Sequence, residues 1–186
     1  MNEVIQNILT RRSVRVYKEE QISDSDLNRI LEAAKFAPSG MNSQSWHFTA
    51  VQNKEKIGEL VSAIKEAFLN SPIEMYRKFA SNPKFNPFYN APTIVITSID
   101  KSSPIGQSDC AAALQNMLLA AHSLNIGSCW IHALAGVGDD PKVRGILTEL
   151  GIPESYGVFG TAALGFNAGE EQNASPRKEG TVNIVK

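Results

Sequence analysis

Apolar residues along the chain fall into two rhythms, and the alternation between them sets the expected elements. Val4, Ile5, Ile8 and Leu9 form one stripe of a short helix, which Arg11 and Arg12 end with cations suited to a helix C-terminus. Ser23 followed by Asp26 reads as a capping box, and Leu27, Ile30, Leu31 and Ala34 continue at helical spacing. That helix should stop near Ala37, because Pro38 disfavours the helical conformation in the residue before it. "HFTAVQ" (47–52) alternates like a strand, and Ile57, Leu60, Val61, Ile64 and Phe68 mark a third helix. The following stretch to Pro92 holds four of the nine prolines and no clear period, which predicts an irregular or partly helical excursion over the surface.

"TIVITSI" (93–99) is β-branched and apolar, as expected of a buried strand. From Ser108 to Asn125 an alanine- and leucine-rich segment is apolar around most of its circumference, a helix suited to the interior, with Ser108 as its cap. Gly127 is expected to turn the chain into the short apolar run "SCWIHAL". Asp140 and Pro141 open another helix with Val143, Ile146, Leu147 and Leu150 inward and Gly151 closing it. "YGVFGTAALGF" (156–166) is a further core strand, and "TVNIVK" at the end is strand-like. No strict βα repeat, internal repeat or linker appears. The expectation is one α+β domain over residues 1–186, with a central mixed or antiparallel sheet flanked by helices.

Composition narrows the function classes. The chain has 186 residues, 42% hydrophobic and 20% charged, with 18 basic and 19 acidic residues. Such a balance suggests no nucleic-acid or membrane partner, so a cluster of arginines calls for a local explanation. Cys110 and Cys129 stand in no zinc or redox spacing, and both read as small buried residues. No run approaches the roughly 18 apolar residues of a membrane span. A reducing cytoplasm is the expected setting.

No G-x-G-x-x-G after a strand, P-loop, zinc-ligand set or G-x-S-x-G elbow is present. Three stretches remain that carry chemistry. "TRRSVRVY" (10–17) holds Arg11, Arg12, Ser13 and Arg15, read either as a solvated basic turn or as a grip on phosphate, which arginine meets with paired, charge-assisted hydrogen bonds. "APSGMNSQSWHF" (37–48) is either an ordinary loop whose short polar side chains satisfy their own backbone, or a polar clamp on a flat ligand. "SPRKEG" (175–180) is either a soluble tail or a second basic claw. His47 and His122 read as structural, while His132 sits where it could line a pocket.

Taken in order, R-R-S-x-R, A-P-S-G-x-N-x-Q-x-W-x-F, an alanine-rich helix leading into G-S-C-W-I, and P-R-K resemble the FMN-dependent nitroreductase family. The likeness spans the chain apart from residues 65–90. It implies an intertwined homodimer with FMN at the interface and the C-terminal strand exchanged between subunits. Arg11 and Arg177 would grip the FMN phosphate, with Ser13, Arg12 and Lys178 assisting. Arg15 would lie near N1 and the C2 carbonyl of the ring, where reduction places negative charge, and would act as the electrostatic stabiliser in a site without a covalent side-chain catalyst. Pro38, Ser39, Gly40, Asn42 and Gln44 would hold the flavin of the partner chain. Trp130, Ile131, His132 and Ala133 would pass the N5 edge. Several family members carry an acidic residue where His132 stands, and Asn86 and Asn90 are candidates for the pyrimidine edge.

The implied activity is ping-pong, two-electron reduction of nitroaromatic, quinone or related small electrophilic acceptors with NADH or NADPH. The alternatives are another flavin chemistry on the same fold (dehalogenation, flavin destruction, enone reduction) and a flavin-binding sensor or carrier.

Overall fold

The computed structural model describes residues 1–170 and 172–186. Six α-helices are α1 (Glu3–Thr10), α2 (Asp24–Lys35), α3 (Lys54–Leu69), α4 (Glu74–Ala80), α5 (Gly106–Ser123) and α6 (Pro141–Glu149). The strands are β1 (Trp46–Val51), β2 (Thr93–Asp100), β3 (Gly127–Ile131) and β4 (Tyr156–Gly165), antiparallel throughout in the order β1-β2-β4-β3. A parallel bridge between Ser13 and Ser128 adds the mixed character on the β3 side. The α+β expectation holds.

Both faces of the sheet are covered, which explains why β2 reads as an unbroken apolar run rather than an alternating one. On one face Ile94, Ile96, Cys129, Ile131 and Ala163 pack under α3 and α6. On the other, Val95, Ala162 and Leu164 meet Ile30 and Ala34 of α2 and Leu114, Met117 and Ala121 of α5. Capping follows the sequence: Ser23 Oγ accepts from Asp26 N at 3.1 Å, and Asp140 accepts from Lys142 N and Val143 N at the start of α6. Gly151, with φ of 85°, closes that helix.

Three expectations need correction, and a fourth, the strand exchanged at 181–186, concerns a second copy of the chain. Residues 70–92 are partly helical as expected, in α4, but are not a mere surface excursion: Ala80 and Phe88 are almost wholly buried, and Tyr76 stacks on Phe68 at 4.2 Å between centroids. Isolated anchors on turns, rather than a periodic face, join this segment to the core. Helix α5 begins at Gly106 with Ile105 as its cap residue, so Ser108 lies inside it and does not cap it. The turn after α5 is made by Asn125 at φ 58°, while Gly127 already belongs to β3. Residues 181–186 form no strand within the chain.

Apolar side chains are left without cover at both ends of the chain. No residue of α1 is buried, and Val4, Ile5, Ile8 and Leu9 are 51–66% exposed. Val182, Ile184 and Val185 in the tail are exposed as well.

If Phe88 is a core anchor, Phe88→Ala should destabilise the fold by about 3–5 kcal/mol in urea unfolding, the usual result of emptying a packed aromatic site. A loss below about 1 kcal/mol would return the segment to the surface.

Candidate functional site

The chain after α1 runs along β3 instead of into solvent. Val14 N donates to the Ser128 carbonyl at 2.9 Å, Lys18 N to the Phe166 carbonyl at 2.9 Å, and the Tyr17 hydroxyl to the Val14 carbonyl at 2.6 Å. Gly127 permits the approach, since a Cβ there would stand 2.9 Å from both Val14 methyl groups. Arg11, Arg12, Ser13 and Arg15 are thereby set along one wall of a cavity of about 650 Å³. The cavity is also lined by His122 and Asn125, from the end of α5 and its turn, and by Asn167 and Gly169 beyond β4.

The wall is cationic and incompletely satisfied. Arg12 Nη1 donates to the carbonyls of Leu9 (2.8 Å) and Arg11 (2.6 Å), closing the end of α1. Yet Arg11 Nη1, Arg12 Nε and Ser128 Oγ are buried without hydrogen-bond partners among the described residues. Burial lowers the Arg11 pKa from its ordinary value, and the nearby charges of Arg12 and Arg177 act in the same direction. Arg177, distant in sequence and exposed on the tail, comes within electrostatic range of Arg11, although it is not among the residues that line the cavity. A buried neutral donor left unpaired costs about 1–3 kcal/mol and a charged one more, so a phosphate seated here relieves a penalty built into the fold.

His122 belongs to the same wall and not simply to the helix. Its Nε2 shares a 2.8 Å hydrogen bond with Thr10 Oγ1. Burial, then the charges of Arg11 and Arg12, lower its pKa below 6.5 and favour the neutral ring. Sequence alone gave no signal for this pairing, which depends on α1 lying against α5.

The loop 38–44 is not part of this cavity's wall among the described residues. Ser39 Oγ accepts from Gln44 N (3.2 Å), and Asn42 Oδ1 from Gln44 Nε2 (3.0 Å), as the self-satisfied loop reading anticipates. Its backbone is unusual: Met41, Asn42 and Gln44 all have φ between 47° and 55°. Asp109, buried in the first turn of α5, holds it by accepting from Gly40 N (3.1 Å) and Ser43 Oγ (3.2 Å). A Cβ at Gly40 would lie 1.8 Å from Ile105 Cδ1, so a larger residue there requires that partly exposed side chain to move. Pro38 and Met41 face solvent. Asp109 escaped the sequence reading because an aspartate in a first helical turn is ordinary dipole compensation.

Trp130 and Ile131 lie on β3, and His132 and Ala133 follow it. A bulge in β4 sets Phe159 apart from the β2 register, and Phe159 packs on Trp130 (5.7 Å) and edge-to-face with His132 (6.5 Å). His132 is exposed and Ala133 half-buried. Arg15 lies over the ring of Tyr89, 5.8 Å from its centroid. The Asn86 amide donates to Asn90 Oδ1 at 2.7 Å, within the turn that carries Tyr89. Lys178 is exposed on the tail.

The model of the nitroreductase family matches residues 8–166. The chain belongs to this family. Among its solved members, a nitroreductase from Bacteroides fragilis with bound FMN is 46% identical and superposes with a TM-score of 0.96, each chain covered fully. A nitroreductase from Desulfitobacterium hafniense, also with bound FMN, is 29% identical with a TM-score of 0.89 over the whole of both chains. An NADPH-flavin oxidoreductase from Vibrio harveyi is 29% identical over 172 residues, 89% of this chain and 66% of that one.

Asp109→Ala should destabilise the protein by about 1.5–3 kcal/mol in thermal or urea unfolding, the usual loss of hydrogen bonds to a charged group. An unchanged midpoint would show the loop to be held otherwise. The His122 pKa is lower folded than unfolded, so its contribution is intact above about pH 6.5 and is lost as pH falls through the folded value. Melting temperature should therefore drop less in His122→Gln than in the parent between about pH 7.5 and 5. Parallel curves would rule out that linkage.

Proposed function

We propose that the chain is an FMN-dependent oxidoreductase, working as a homodimer, that takes electrons from NADH or NADPH and reduces small electrophilic acceptors such as nitroaromatics and quinones. The observation that carries this reading is the pair of buried, unpartnered guanidinium nitrogens on Arg11 and Arg12, with Arg177 close by. That donor set fits the phosphate of FMN. When bound, FMN supplies a ring that accepts hydride at N5 and passes two electrons on.

The residues divide the work. Arg11 and Arg177 hold the phosphate, Ser13 adds a hydroxyl, and Lys178 adds charge from the solvent side. Arg12 fixes the end of α1 with one nitrogen and leaves its Nε for the ligand. Arg15 places a positive charge at the N1–O2 edge, where a preorganised cation favours the reduced cofactor. The segment Trp130–Ala133 flanks the reactive edge, with Phe159 packed against Trp130 and His132.

The homodimer is supported by what one chain leaves open. The exposed apolar stripe of α1 and the apolar tail residues need cover, and β1 is a sheet edge with a free hydrogen-bonding side. Exchange of residues 181–186 between copies would add an edge strand, and the Pro38–Gln44 loop of each copy would reach the flavin of the other. The whole chain acts as one domain. The two free, buried cysteines favour a reducing, cytoplasmic setting.

The test is the visible spectrum of the purified protein before and after anaerobic NAD(P)H, followed by turnover on nitro compounds, quinones and enones. Flavin bands that bleach and recover with a nitro or quinone acceptor are the expected result. Persistent bands would point to a carrier or sensor, and a colourless protein that takes up no FMN would overturn the assignment. Arg11→Ala should weaken FMN binding by about 1.5–3 kcal/mol, the range for a charge-assisted hydrogen bond.

A further inference from the structure

Tyr89 and Asn90 are consecutive left-handed residues, at φ 55° and 57°. Asparagine tolerates that conformation, whereas a bulky aromatic residue there is an outlier. The turn is over-determined: Phe88 is fully buried, Phe88 N donates to Asn86 Oδ1 (2.9 Å), Tyr89 N to the Asn86 carbonyl (3.1 Å), and Ala91 N to the Phe88 carbonyl (3.0 Å). Stability alone would favour asparagine or glycine at position 89. What the strained geometry achieves is the delivery of one ring, 39% exposed, under the Arg15 guanidinium. Among the described residues no carboxylate pairs with Arg15; Tyr89 meets this exposed cation with its ring face, and its hydroxyl also favours the charged guanidinium.

We propose that Tyr89 is the positioning residue for Arg15, holding its guanidinium by ring-face contact in the orientation used at the cofactor's N1–O2 edge. The inference rests on the placement of Arg15 proposed above. It assigns a purpose to backbone strain that packing does not require, the order in which strain should be read. It also makes the turn 86–90 part of the machinery that sets the cofactor's potential.

The test is the midpoint potential of bound FMN in the parent, Tyr89→Asn, Tyr89→Phe, Arg15→Ala and the Arg15→Ala/Tyr89→Asn double variant, with melting temperature recorded for each. Tyr89→Asn relaxes the backbone while removing the ring, so its melting temperature should hold or rise while its potential falls. A ring–cation contact at an exposed site corresponds to about two- to fivefold in the preference for reduced over oxidised flavin, or about 10–20 mV for a two-electron couple. Tyr89→Phe keeps the ring face and loses only the hydroxyl, so its potential should stay nearer the parent than that of Tyr89→Asn. In the Arg15→Ala background the Tyr89→Asn shift should vanish. A shift that persists there, or no shift from Tyr89→Asn while Arg15→Ala lowers the potential, would overturn the Tyr89 role and leave Arg15 in place. No shift from Arg15→Ala would overturn the Arg15 placement, and the Tyr89 role with it.

Discussion

The main-chain hydrogen bond from Val14 to Ser128, 2.9 Å long, fastens a segment with three arginines to the edge of a sheet buried on both faces. Without a rigid edge, like charges so close in sequence would splay into solvent, where each is better hydrated. The bridge of Tyr17 to Asn167 and the bond from Ala168 N to the Val16 carbonyl extend the attachment past the arginines. The folded chain thus carries an electrostatic debt, visible in the lowered pKa of Arg11 and in its unpaired nitrogen. An anion bound only by the folded state would stabilise it in proportion to the logarithm of its concentration over its dissociation constant. Cofactor retention and fold stability are then two readings of one interaction.

The same sheet supports features of another kind. Besides Asn125 in the turn after α5, five non-glycine residues among those described hold left-handed backbone, in the loop around Met41–Gln44 and the turn at Tyr89–Asn90. Each is clamped to something rigid, the first to Asp109 on α5 and the second to Phe88 in the core. Strain persists only where its surroundings over-determine it. The β4 bulge that sets Phe159 beneath Trp130 and His132 is a third local irregularity supported in this way.

What sequence revealed follows from how each element is stabilised. Helices α2, α3 and α6 bury a repeating face, so their periods announce them, while β2 and β4 are covered on both faces and show as continuous runs of apolar and small residues. The segment through Phe88 is held by single anchors on turns and has no period to read. The start of α5 was misplaced because its first turn is fixed by tertiary contact: Gly106 packs against Ile99 and Ser45 rather than under a capping side chain. At the site, Arg11, Arg12, Ser13 and Arg15 were legible because order and spacing along the chain carry them. Asp109, His122 and Tyr89 were not, because each matters only through a partner distant in sequence or on another element.

Cys110 and Cys129 give this architecture a further property. Both thiols are almost wholly buried, and burial pushes Cys110 up to about 12 and raises Cys129 as well. The closed protein therefore offers no reactive thiolate to an alkylating reagent. Cys110 is seated one residue after the loop-holding Asp109, and Cys129 on the strand beneath the arginine segment. Labelling of either must wait for its own neighbourhood to open, so the two sulfurs act as separate clocks on the breathing of the strained loop and of the cationic wall.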